Sequence, residues 1–246
     1  MSARIKILYE DFGILAIDKP SGILTHPNKM SKEKTILDLF LKKYPKMEIA
    51  HRLDKETSGV MLLAKNKKAH EFLKSQFSAP ALGLKNKSGL PDKQNRINKT
   101  YIAIVNGWVK NDRGVINKPI GRSPKYFHRH LAGRGARGEM REAITEYKVL
   151  KRFEIFRNKF TYLEIKPKTG RTHQIRVHMK YINHPVACDS LYNPNGACPQ
   201  EFKRLALHAK SIEFNLPARA GNLKGKTIKI ESPLPKEFKK LVNLAG

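Results

Sequence analysis

A chain of 246 residues, 40% of them apolar, can bury one large core or two small ones. Its 49 Lys and Arg against 21 Asp and Glu leave a net charge of +28, which points to a polyanionic partner, most simply nucleic acid, because each phosphate neutralised releases counterions. A membrane surface fits less well, since the basic residues run along the whole chain rather than along one amphipathic helix, and no apolar stretch approaches spanning length.

Arg4, Lys6, Glu10 and Asp11 argue against a secretory signal or an acid-poor transit peptide, so a soluble, cytoplasmic protein is expected. Cys188 and Cys198 match no zinc spacing and mark no disulfide framework, which predicts buried thiols in a reducing compartment.

In chain order, residues 5–9 and 14–18 read as a hairpin around Glu10-Asp11-Phe12-Gly13, followed by a second turn at Lys19-Pro20-Ser21-Gly22. Residues 35–44 predict a helix capped by Thr35 with Asp38, and the run 60–64 a buried strand. Asn66 caps a helix running to about Phe77, with Ala69, Phe72, Leu73 and Phe77 inward. Residues 78–98 and 122–141 lack periodicity and carry many cations; both read as basic loop insertions, the second as an RNA-gripping arm or a solvated loop. Strands are expected at 100–106, 143–150, 160–166, 205–208, 211–214 and 227–231, and a terminal helix at 235–244. Thr172 is expected to cap a helix with Ile175, Met179 and Ile182 inward and His173, Arg176 and Lys180 on the other face. With no repeats and no linker, the expectation is one domain, 1–246, of mixed α/β (α+β) class.

Three stretches carry chemistry. His51-Arg52-Leu53-Asp54-Lys55-Glu56-Thr57-Ser58-Gly59 packs a candidate base, a guanidinium, a carboxylate and two hydroxyls onto a turn entering the core, where a side chain is held rigidly yet faces a cleft. The bland alternative is a turn whose Asp and Thr bond their own backbone. Thr169-Gly170-Arg171-Thr172-His173-Gln174-Ile175-Arg176 offers a helix start for phosphate and an arginine able to fork onto a carboxylate, or else only a basic helix in solvent. Tyr101 shares a strand face with Ala103 and Val105 and on its own reads as packing. The kinase-like His51-Arg52-Leu53-Asp54 and Asp11-Phe12-Gly13 stand in reversed order without a Gly-rich loop, and His173 with His178 lacks zinc-hydrolase spacing.

These stretches together resemble the RluA-type pseudouridine synthases, the ribosomal large subunit pseudouridine synthase A family. The opening Ile7-Leu8-Tyr9-Glu10-Asp11 through Lys19-Pro20-Ser21-Gly22 is similar to that family. So are Lys99 to Gly107, Ala143-Ile144-Thr145-Glu146-Tyr147, Gly170 to His178, His184-Pro185 with Asp189 and Tyr192, and Leu207-His208-Ala209. The resemblance covers essentially the whole chain. It implies a mainly antiparallel mixed sheet flanked by helices and basic loops. Many relatives carry a small N-terminal RNA-binding domain; this chain begins at the catalytic core, so the basic insertions are expected to carry more of the RNA grip.

The implied reaction turns uridine in rRNA or tRNA into pseudouridine without net oxidation or group transfer, so no cofactor and no metal is required. The family match makes Asp54 the catalytic carboxylate, as nucleophile or stabiliser of a detached base, Tyr101 the ring against that base, and Arg176 the cation that keeps the carboxylate ionised in a dry site. Arg52 is expected to hold the flipped-out uridine, with Arg171, His173 and Gln174 at the substrate and His51 shaping the turn beside it. The partner is RNA and the protein a monomer. Two rivals stand beside this: a non-catalytic RNA-binding or ribosome-associated protein on the same fold, and a hydrolytic glycosylase, for which Glu56 is the sole extra acid near the motif.

Overall fold

Short apolar runs punctuated by Gly, Pro and Asp make a strand-rich chain. The computed structural model describes residues 5–27, 33–78, 97–200, 202–216 and 226–244. Along them the chain forms β1 (Lys6–Glu10), β2 (Ile14–Lys19), α1 (Ile36–Leu41), β3 (Glu48–Ile49), β4 (Ser58–Ala64), α2 (Lys67–Ser78) and β5 (Asn98–Asn106). It continues through β6 (Arg113–Asn117), β7 (Ile120–Arg122), β8 (His130–Ala132), β9 (Arg137–Arg141), β10 (Ile144–Ile155) and β11 (Asn158–Pro167). The last elements are α3 (Gln174–Tyr181), β12 (Leu207–Asn215), β13 (Thr227–Glu231) and α4 (Lys236–Leu244). This is the expected α+β class. The chain divides into two compact units, Met1–Lys99 with Ala209–Pro233, and Thr100–His208 with Leu234–Gly246.

In the first unit β1, β2 and β4 pair in antiparallel order, β12 lies beside β4, β13 pairs with β12, and β3 with β4. The β1–β2 turn forms because Asp11 Oδ1 accepts the Gly13 and Ile14 N–H groups at 2.8 and 2.6 Å, as its position in the sequence predicts. β4 is buried along its whole length, which is what a continuous apolar run requires. The Thr35–Asp38 capping box starts α1 as expected, but the helix stops at Leu41. Tyr44 precedes Pro45, and a pre-proline residue resists the helical region, so the last predicted turn is lost. Asn66 caps α2 by accepting Ala69 N–H at 2.9 Å. The two strands expected at 205–208 and 211–214 are one strand, β12; Ala209 and Lys210 break the apolar run but not the extended backbone. The insertion expected at 78–98 lies outside the described residues except for its ends.

In the second unit the antiparallel order is β5–β11–β10–β6, with Tyr101 opposite Ile165 and Asn106 opposite Phe160. Ile104, Val105, Phe160, Leu163, Met179, Phe202 and Phe238 form its core. Two expectations are corrected. Cys188 and Cys198 are joined in a disulfide: Cys188 turns the chain at φ 58°, and the following turn brings the two Cα atoms to 4.9 Å. The basic segment 122–141 is not a loop but most of a second sheet, ordered β8–β7–β9. Gly133, Gly135 and Gly138, all at positive φ, let so short a stretch reverse direction, and buried Ile120 ties the sheet to Ala143, Val177 and Tyr192.

Candidate active site

In the first unit the nonapeptide is clamped through its backbone. β2 ends with Lys19 paired to Gly59 at the head of β4. Lys19 is fully buried, and its ammonium donates to the carbonyls of Pro20, Lys55 and Thr57 at 3.0, 3.0 and 2.9 Å. Ser21 Oγ donates to Glu56 O at 2.7 Å and Gly22 N–H to Lys55 O at 2.8 Å. Thr25 Oγ1 both donates to Leu53 O and accepts Leu53 N–H, at 2.8 and 3.3 Å. Thr57 N–H closes the turn onto Asp54 O at 3.1 Å. Gly59 has φ 113°, and a Cβ there would collide with the Ala209 carbonyl, so only glycine fits. Asp54 therefore stands half-buried at the centre of a turn whose neighbouring carbonyls are each held by a donor. Such a seat fixes a carboxylate relative to its surroundings, the first requirement of charge-stabilising or nucleophilic catalysis.

Arg52 is exposed and borders an open cleft of about 380 Å³ with Leu24, His26, Pro27 and Lys55. His51 points elsewhere. Its Nε2 accepts the Leu62 N–H at 2.9 Å and its ring packs on Phe77 with centroids 4.6 Å apart. Loss of hydration on burial, and then the nearby Lys99 charge, push its pKa down to about 3, so it is a neutral acceptor that shapes the turn.

In the second unit Tyr101 sits half-buried on β5. α3 begins one residue later than expected: the N-cap is His173, at φ 54° and without a side-chain cap, rather than Thr172. The Gln174 side chain takes over that work. Its Oε1 accepts from Thr169 Oγ1 and Arg171 N–H at 2.7 and 3.0 Å, and its Nε2 donates to Ile144 O and Thr145 Oγ1 at 3.0 and 2.9 Å. Gln174, expected at the substrate, thus has both ends of its amide engaged inside the unit. Ile175 and Met179 are buried as expected, but Arg176 is also buried, at 6% exposure. Its Nε and Nη2 each meet one oxygen of Asp189 at 2.8 Å. His173 Nδ1 lies 3.0 Å from Tyr192 Oη, and exposed Arg171 donates Nε–H to Glu142 O at 2.9 Å. His178 is fully buried between Thr145 Oγ1 and Lys118 O, at 2.8 and 2.9 Å, and desolvation lowers its pKa against the opposing pull of the Lys118 carbonyl.

Sequence reasoning missed Lys19 as a clamp and Asp189 as the partner of Arg176. For Lys19 the signal was its place directly before Pro-Ser-Gly, where a long side chain can fold back on a turn. For Asp189 no local signal exists, since it lies 13 residues from Arg176.

The family model described as RNA pseudouridylate synthase matches residues 13–181. The chain is 35% identical over 258 residues to the ribosomal large subunit pseudouridine synthase D of Pseudomonas aeruginosa, covering 98% of this chain and 72% of that protein. It is 36% identical over 250 residues to an uncharacterised RNA pseudouridine synthase of Aquifex aeolicus, covering 96% and 71%. Among solved structures, human RNA pseudouridylate synthase domain containing 4 superimposes with a TM-score of 0.68 at 25% identity, over 96% of this chain and 91% of that one. The nonapeptide with its clamped aspartate and the arginine helix thus stand on the fold that the sequence motifs implied, and the chain belongs to the RNA pseudouridylate synthase family, isomerases that act on RNA.

Proposed function

We propose that Asp54 is the catalytic carboxylate, that Tyr101 lies against the target base and Arg176 is the fixed cation of the reaction, and that the substrate is large-subunit ribosomal RNA. The observation that carries the reading is the seat of Asp54, a carboxylate on a turn held by Lys19, Ser21 and Thr25. In the isomerisation the bond from the sugar C1′ to uracil N1 breaks, the base turns, and a C1′–C5 bond forms. N1 gains a proton and C5 loses one, so atoms and electrons balance within the uridine. A rigid carboxylate serves this as nucleophile or as stabiliser of the electron-poor sugar, and water must be kept from C1′. Arg52 and Arg171, both exposed, are assigned to phosphates of the flipped-out nucleotide, while His51, His173 and Gln174 shape the turns that present them. The ribosomal target follows the names of relatives in Pseudomonas, Xanthomonas and Borreliella that match 95–98% of this chain. A cytoplasmic monomer, its two units acting as one catalytic domain, completes the reading.

The test is carbodiimide mapping of pseudouridine in total RNA from cells lacking the gene, complemented with wild type, Asp54→Ala or Asp54→Asn. A ribosomal site that vanishes, returns with wild type and stays absent with both variants is expected. Restoration by Asp54→Asn would rule out the carboxylate role, and a lost transfer-RNA site would move the target.

A further inference from the structure

Arg176 is held by more than its helix. Asp189 is buried at 1% exposure, and besides the two bonds to the guanidinium its Oδ1 accepts the Leu191 and Tyr192 N–H groups at 3.0 and 2.9 Å. The Tyr192 ring lies against the same guanidinium, 5.1 Å from Cζ to centroid, and its hydroxyl accepts the N–H of His130 on β8 at 2.9 Å. His173 Nδ1 meets the same hydroxyl at 3.0 Å. One short loop, closed by the Cys188–Cys198 disulfide, therefore carries both the carboxylate that orients Arg176 and the phenol that bonds the basic β8–β7–β9 sheet.

We infer that Asp189 and Tyr192 are positioning residues for Arg176: Asp189 sets the plane of its guanidinium, and Tyr192 links that plane to the basic sheet, so that seating RNA on the sheet and aiming the arginine are one event. This rests on the catalytic reading of Arg176. A bidentate pair fixes both distance and plane, which a single charge at the surface does not. The tyrosine hydroxyl accepts a backbone N–H of β8 besides meeting the His173 ring, so a shift of that strand reaches Tyr192 directly.

The experiment uses the full chain and two readouts. One is the single-turnover rate and KM on a uridine-labelled ribosomal RNA fragment. The other is the Nε–H resonance of Arg176, assigned by its disappearance in Arg176→Lys. Asp189→Asn is expected to slow turnover about a hundredfold with KM little changed, to lower the melting temperature because the buried Arg176 charge loses its counter-charge, and to broaden or shift the Nε–H signal. Tyr192→Phe keeps the ring and loses only the hydroxyl, and is expected to lower the rate at saturating RNA by about tenfold. A normal rate in Asp189→Asn, or a raised KM with an intact maximal rate in Tyr192→Phe, overturns the inference; so does an unaltered Nε–H signal in Asp189→Asn. If wild type leaves uridine unchanged in every RNA while the Nε–H signal still depends on Asp189, the catalytic reading fails and the clamp on Arg176 stands.

Discussion

At the scale of single residues, the nonapeptide is organised by groups bonded to the backbone of the unit itself. His51 donates nothing to the cleft: its Nε2 accepts from Leu62, and burial with the Lys99 charge lowers its pKa to about 3. In the unfolded chain it titrates near 6.5, so between about pH 6.5 and 3 the unfolded state binds a proton that the folded state refuses. The folded protein therefore loses stability as pH falls through that window and holds it fully above. Buried His178 adds in the same direction. The melting temperature should fall from pH 7.5 to 5.5, above the range where carboxylates titrate, and His51→Gln should flatten part of that slope; identical slopes in the two proteins would sink the account. The motifs that hold Asp54 and Arg176 were legible because their residues stand together in chain order. The Lys19 clamp, the Gln174–Thr145 bond and the Asp189–Arg176 pair were not, because a buried charge or amide is recognised by its partners, and these partners lie 38, 29 and 13 residues away.

At the scale of elements, local chemistry decided what could be read. Thr35 with Asp38 and Asn66 announce α1 and α2, since a cap is written in adjacent residues. The β10–β11 hairpin announces nothing. Its turn residues Phe156 and Arg157 adopt φ 48° and 63°, left-handed positions where Asn and Gly are the usual occupants. Sequence reading accordingly left strands of eight and seven residues where the structure has twelve and ten. A bulky residue in that region costs about 1–2 kcal/mol. Phe156 is 80% exposed, so removing its ring forfeits little packing. Phe156→Asn with Arg157→Gly should therefore stabilise the protein by about 1 kcal/mol or more, raising the melting temperature by about 2–4 °C. A lower melting temperature in calorimetry would mean that the exposed ring or the guanidinium does packing work that outweighs backbone strain.

At the scale of the whole molecule, the charge of +28 is the one global property that the sequence stated outright. Where that charge is organised was hidden, because the 122–141 segment lacks the alternation that marks a half-buried strand. Its sheet is instead short and glycine-turned: β9 is exposed at every residue, and the sheet is anchored by Ile120 beneath. The disulfide was hidden for a related reason, since two cysteines with no framework around them say nothing about whether the backbone brings them together. The exposed face carries Arg134 and Arg137, with Phe127 81% exposed nearby in sequence, a composition suited to phosphates and unstacked bases. If this face grips RNA through counterion release, each phosphate contact contributes about 0.7–0.9 to the slope of log affinity against log salt. Arg134→Gln with Arg137→Gln should then reduce that slope by about 1.5, weakening binding most at low salt. Both side chains are exposed, so the melting temperature should hold. Filter binding between low and moderate salt measures the slope directly; an unchanged slope would place the RNA grip on other cations of this strongly basic chain.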